Sequence, residues 1–179
     1  GHASAPPKNS PVARLAAFVD SMEKHPPFRK KFEPEVSAMF ARLAAYAPFA
    51  LRLLFGNLWL FAPLMKLVMP ALSPQAGAML RTTAAFTMLS GSDACNVLPQ
   101  EASVWANLRF IPHQGMDESL ALIKKRAEKY GIETEVLSAS DYSAPADIHG
   151  EAWRRVTDTI AEVFPGLAWS PYVMTGATD

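Results

Sequence analysis

Arg109 is the side chain whose type and setting point most directly to chemistry. It falls in residues 103–111, where Val104, Ala106, Leu108 and Phe110 alternate with Ser103, Trp105, Asn107 and Arg109, the period-two signature of a half-buried strand. Successive strand side chains point to opposite faces, so the guanidinium is expected to stand clear of the apolar set. Its planar fork of donors matches a carboxylate bidentately, a geometry that lysine does not reproduce. On the residues alone, a solvated strand arginine is the plainer alternative. The four histidines, His2, His25, His113 and His149, lie far apart. None has a carboxylate or second histidine at a helical ligand spacing, so a complete metal site is not expected. His25 and His113 sit beside prolines in turns and are expected at the surface. There is no glycine-rich phosphate cradle and no nucleophile elbow. The single Cys95 excludes an internal disulfide and any multi-cysteine zinc cluster.

Holding such an arginine in place takes a packed scaffold, and 179 residues are enough for one domain, or for one and part of another. Hydrophobic residues make up 50% and charged ones 19% of the chain, a balance that excludes disorder. Seventeen basic residues match seventeen acidic ones, so no net field exists to hold a polyanion and nucleic acid is not an expected partner. The chain opens on Gly1 without a charged n-region and h-region and stops at Asp179 after an apolar stretch; a piece of a longer polypeptide is expected.

Residues 10–24 read as an amphipathic helix, with Ser10 and Pro11 as cap and first-turn pair and Leu15, Phe18, Val19 and Met22 on one face. His25, Pro26 and Pro27 end it. From 35 to 72, Leu and Phe crowd together with Trp59 among the breakers Pro48, Gly56, Asn57 and Pro63, which predicts two or three short helices with a break near Gly56 and Asn57. Arg52 and Lys66 bracket too short a run for a spanning helix. Packing of this hairpin on the rest of a larger protein is the preferred reading, and contact with a membrane surface the rival. Its excess of Leu, Phe and Trp also suggests a wall along a channel for an apolar acyl chain, with Phe55 and Trp59 lining it. Strands are expected at 82–89, 103–111 and 132–138, a helix at 117–130 closed by Gly131, a linker from 138 to 147, a helix at 150–164 and a short strand near 172–174. The fold class is therefore α+β: an antiparallel sheet covered on one face by the helices at 10–24 and 117–130.

Several short motifs become specific when taken in order. Gly-His-Ala-Ser at 1–4 with Pro6 and Pro7, Arg81-Thr82-Thr83, Asn96-Val97-Leu98-Pro99, Asn107-Leu108-Arg109 and the terminal Gly176-Ala177-Thr178-Asp179 resemble the M20 metallopeptidase family. Within it the chain is most similar to the carboxypeptidase S branch, which includes the N-acyl amino acid hydrolases. The resemblance implies a zinc-dependent amidohydrolase cleaving a peptide or N-acyl amino acid bond. Its catalytic domain holds two zinc ions, and a smaller ferredoxin-like lid domain, through which the enzyme forms a homodimer, is inserted into it. Residues 1–146 resemble the lid, with a helical insertion at about 35–72 and the first sheet strand missing; 147–179 resemble the return into the catalytic domain. The zinc-binding half lies outside this chain, which on its own is expected to bind no zinc and to be inactive.

By motif position, His2 resembles the lid histidine that polarises the scissile carbonyl from a neighbouring copy or domain; the alternative is a remnant appended with Gly1. Asn96 resembles the loop asparagine near the substrate carboxylate, its alternative being a turn former. Arg109 resembles the strand arginine that grips that carboxylate. Gly176, Ala177 and Thr178 match the glycine-rich segment whose backbone donors help hold it. The rival from a different class is a non-catalytic dimerisation module, or one that docks on lipid through the apolar hairpin.

Overall fold

A computed structural model describes residues 4–176. The elements run α1 (Pro11–Lys24), α2 (Pro34–Ala44), α3 (Phe49–Gly56), α4 (Leu58–Leu72), α5 (Pro74–Ala78), β1 (Thr83–Ser90), β2 (Ser103–Arg109), α6 (Met116–Glu128) and α7 (Glu151–Val163). The expected α+β class is borne out, with β1 and β2 antiparallel. Two compact units divide the chain. Of the described residues, one holds 4–29, Thr82–Phe110 and Gln114–Tyr142; the other holds Lys30–Arg81, Ile111–His113 and 143–176.

In the first unit, Ser10 caps α1 by accepting from the Ala13 N–H at 3.3 Å, and Leu15, Phe18 and Met22 repeat every three or four residues on its buried face. Phe18, Met22, Phe28 and Ala127 form the core, with Ala84 and Phe86 of β1 and Leu122 and Ile123 of α6 packed against it. Thus α1 and α6 cover one face of the ribbon, as the alternation predicts. The α6 helix carries Asp117 and Glu118 in its first turn and Lys125 and Arg126 in its last, the polarity that complements a helix dipole. Gly131 follows at φ +62°, and the Ile132 N–H reaches back to the Ala127 carbonyl at 3.1 Å, a left-handed cap that only glycine adopts cheaply. A side chain there would also press on Arg14, whose guanidinium donates to the Gly131 carbonyl at 3.1 Å. Further on, the buried Gln114 accepts from the Arg29 N–H at 2.9 Å and donates to Glu118 at 3.1 Å.

Two expected strands are not formed. Residues 132–138 form no strand and are not paired with the ribbon, which has two strands in the order β1-β2. Ile132 packs into the core whereas Val136 and Leu137 are exposed; with no neighbour to complete a ladder, alternation alone does not make a strand. Residues 172–174 likewise form none; Val173 turns inward to the second unit's core while Tyr172 and Met174 face out. The 138–147 segment is less of a free linker than its composition suggests. Asp141 accepts from the Met116 N–H at 3.0 Å and so caps α6, whose own Gly115 has no side chain to do it.

The second unit is built on Val36, Met39, Phe40, Met65, Met69, Met79 and Leu80. The expected break falls at Asn57, between α3 and α4, which are bent by 107°. Asn57 holds the bend by donating to the Leu53 carbonyl at 2.9 Å while its own carbonyl accepts from Leu60 and Phe61. The short α5 had no strong sequence signal beyond Ser73, which caps it. Gly77 within it lies so near Pro70 that a Cβ would come within 3.2 Å. Of the two aromatics expected to line an acyl channel, Phe55 is half-buried and packs on Phe40, ring centroids 4.9 Å apart, and Trp59 is exposed. Trp153 of α7 meets Trp169 edge-on at 5.9 Å, and the Arg42 guanidinium lies 3.8 Å over the Trp169 ring.

Candidate substrate-carboxylate site

Arg109 is the last residue of β2 and pairs with Thr83. Directly opposite residues in an antiparallel pair share a face. Ala84, which packs on the helical core, is opposite Leu108, so Asn107 and Arg109 lie on the other face. Both are exposed. Among the described residues no ion pair or hydrogen bond occupies the Arg109 guanidinium, which leaves its donor fork open to a ligand. Arg81, just before β1, is half-buried instead, and desolvation lowers its pKa from the usual arginine value.

Asn96 is exposed in the loop that joins the strands. There Ser92 Oγ accepts from the Ala94 N–H at 3.3 Å and the Ala94 carbonyl accepts from Val97 at 3.3 Å, a turn of the kind asparagine favours. That loop is attached where Ser90 meets Ser103, and Gly91 in it lies beside both Pro99 and Val12, the latter at the start of α1. Arg109 is six strand positions further on from Ser103, roughly 20 Å at 3.3 Å per residue. The loop that carries the asparagine is therefore attached at the end of the ribbon away from the arginine. Gly176 is exposed at the last described position. His2, Ala177 and Thr178 lie outside the described residues.

The structure contains one polar constellation that the sequence reading missed and one expectation it overturns. His113 is not a surface residue: its side chain is 4% exposed, Glu33 is 8% exposed, and Nδ1 and Oε1 are 2.6 Å apart. Lys31 approaches the same carboxylate at 3.6 Å from its exposed side. The two partners are separated by 80 positions, so no local pattern could have paired them. Pro112 beside it marks a change of direction, not exposure, and the tight turn after β2 folds the imidazole inward.

No group of three or more His, Cys, Asp or Glu side chains among the described residues is placed to hold a metal ion. The resemblance assigns the zinc ligands to the half of the enzyme outside this chain, and no described residue is given a metal-binding role. The purified chain, freed of chelator, is expected to contain no stoichiometric zinc by plasma emission; a ratio near one would refute this.

Comparison with known proteins adds three findings. A family model described as the peptidase dimerisation domain matches residues 1–135. The N-fatty-acyl-amino acid synthase/hydrolase PM20D1 of Homo sapiens is 32% identical over 182 residues, covering 100% of this chain and 36% of that protein; the Xenopus tropicalis protein of the same name is 31% identical, covering 100% and 35%. A probable carboxypeptidase S-like 2 of Dictyostelium discoideum is 28% identical over 180 residues, 100% of this chain and 34% of that protein. The chain thus spans about a third of the length of these curated relatives. No solved structure matches it.

Proposed function

Because the chain belongs to the peptidase dimerisation domain family of the M20 peptidases, we propose that it supplies the substrate-carboxylate contact of a longer hydrolase acting on a peptide or N-acyl amino acid bond. One observation supports this above the others: Arg109 stands exposed at the end of β2, on the ribbon face turned away from the helices, with no partner among the described residues. A carboxylate offered there meets a planar fork of donors already fixed by the strand. The relatives' names, N-fatty-acyl-amino acid synthase/hydrolase and carboxypeptidase S-like, describe substrates that carry such a free carboxylate.

In this reading, residues 1–146 serve as the lid and 147–179 belong to the catalytic domain, where Gly176, Ala177 and Thr178 add backbone donors to the carboxylate. The attachment of the Asn96 loop at the end of the ribbon away from Arg109 favours a homodimeric site, in which Asn96 and His2 of one copy serve a substrate held by Arg109 of another. His2 then donates to the oxygen on which negative charge develops.

The test is steady-state kinetics of Arg109→Lys in the longer hydrolase, against an acyl amino acid and its carboxamide analogue. A grip shared by ground and transition states predicts a KM raised about tenfold for the free acid with kcat largely kept, and little change for the amide. If the preference for the free acid is unaltered, Arg109 is a solvated strand residue and the assignment fails.

A further inference from the structure

We propose that the outer face of α3 and α4 docks on an anionic lipid surface. The α4 helix is apolar on both sides. Met65 and Met69 face the core, while Trp59, Leu60, Leu64 and Leu67 form a second stripe on the outside, with Trp59 81% and Leu67 70% exposed. A helix at the surface of a globular protein needs only one such stripe, and contiguous exposed apolar surface of this kind marks a contact. Phe49 at the start of α3 is 80% exposed, and Leu53, one turn on and on the same side of that helix, is exposed as well.

Length and bend decide how this face meets a bilayer. No single helix among the described residues is long and apolar enough to cross a membrane; α3 and α4 meet that test only together, with the 107° bend at Asn57. A bent pair of short helices suits a position along the interface, where exposed tryptophan and phenylalanine rings partition well.

Charge decides the kind of surface. The whole chain is balanced, yet residues 36–92 contain Arg42, Arg52, Lys66 and Arg81 and not one Asp or Glu. Arg42 is engaged over Trp169, and Arg81 is half-buried. Arg52 is exposed on α3; one of its guanidinium nitrogens donates to the Ala45 and Ala47 carbonyls at 3.3 and 3.4 Å, and its charge has no ion-pair partner among the described residues. Lys66 on α4 is half-buried, with a stem long enough to carry its ammonium out of an apolar face. Cations without a neighbouring anion complement anionic headgroups, each strengthening the contact about fivefold. Self-pairing of the same face would instead set these cations against their own copies. The inference goes beyond the hydrolase reading and does not depend on it, since docking requires no turnover.

Cosedimentation tests it, using vesicles of one part phosphatidylglycerol to two of phosphatidylcholine, and vesicles of phosphatidylcholine alone. The chain and the longer polypeptide that carries it should both bind the mixed vesicles and bind the neutral ones more weakly. Raising salt from about 0.1 M to about 1 M shortens the screening length from about 10 Å to about 3 Å and should release much of the bound protein. The variant Leu64→Ser with Leu67→Ser, both exposed and so compatible with an unchanged melting temperature, should bind at least about tenfold less. The variant Arg52→Gln with Lys66→Gln should lose about tenfold on the mixed vesicles alone. The proposal is overturned if neither protein sediments with either vesicle, if salt has no effect on the unsubstituted chain, or if the serine variant binds equally. It is also overturned if the chain binds while the longer polypeptide does not, which would mean the face is covered within one molecule. An oligomer abolished by the serine substitutions, without vesicle binding, would assign the face to a second copy and equally refute it.

Discussion

Replacing His2 by alanine in the longer hydrolase is expected to cut kcat by about a hundredfold or more while leaving KM within a few-fold. The reasoning rests on where negative charge appears. A ground-state amide carbonyl is nearly neutral, whereas attack at its carbon puts a full charge on the oxygen, so a donor aimed at that oxygen acts on the transition state far more than on bound substrate. Loss of such a donor therefore lowers kcat and kcat/KM together. The contrast with Arg109→Lys, where KM moves and kcat stays, separates the two roles within one assay. His2→Gln, which keeps a donor but not the imidazole, should recover part of the loss. A kcat within about threefold of the unsubstituted enzyme would remove His2 from the oxyanion role. Gly1 and His2 would then have no assigned part in the reaction.

The second large effect is on stability. His113→Ala is expected to cost about 3 kcal/mol, because it strands the buried Glu33 carboxylate in a site where its other charged neighbour, Lys31, stands 3.6 Å off with a largely exposed side chain. For a chain of this size that corresponds to a melting temperature lower by about 10 °C. The double replacement Glu33→Leu with His113→Leu should recover much of the loss, since an apolar pair removes both desolvation costs at once. Thermal melts of the parent, the single variant and the double variant decide it. A single variant melting within about two degrees of the parent would mean that the pair contributes nothing net and that the carboxylate finds water.

Much of the scaffold was legible because it is local. The helix 10–24 needed only the Ser10–Pro11 start and the Leu15, Phe18, Met22 face, and the same pattern decides its packing. Gly131 ended α6 where a left-handed residue was required. The bend at Asn57 followed from Gly56 and Asn57 standing amid an otherwise apolar run. In the candidate site, Arg109 could be placed on the outward face from alternation alone, since a period of two fixes the face of every residue once the apolar set is known. Residues 132–138 failed the same test because a strand is defined by its neighbour, and the hydrogen bonds of a ladder are not a property of one segment. Val136 and Leu137 were read as strand formers and are exposed instead.

What the sequence determined by itself is the set of short-range choices: helix starts and stops, the face that each side chain takes, the class α+β, and the motifs that carry the family resemblance. Tertiary structure alone decided the rest. It brought His113 to Glu33 across 80 positions and buried both. It attached the loop that carries Asn96 at the end of the ribbon away from Arg109, and it left the second apolar stripe of α4 uncovered among the described residues. The physical reason is the same in each case. Propensity, capping and period act within a turn or a pleat and are written in adjacent residues, whereas burial and pairing between distant segments depend on which surfaces meet once the chain has closed its loops, and no spacing in the sequence encodes that distance.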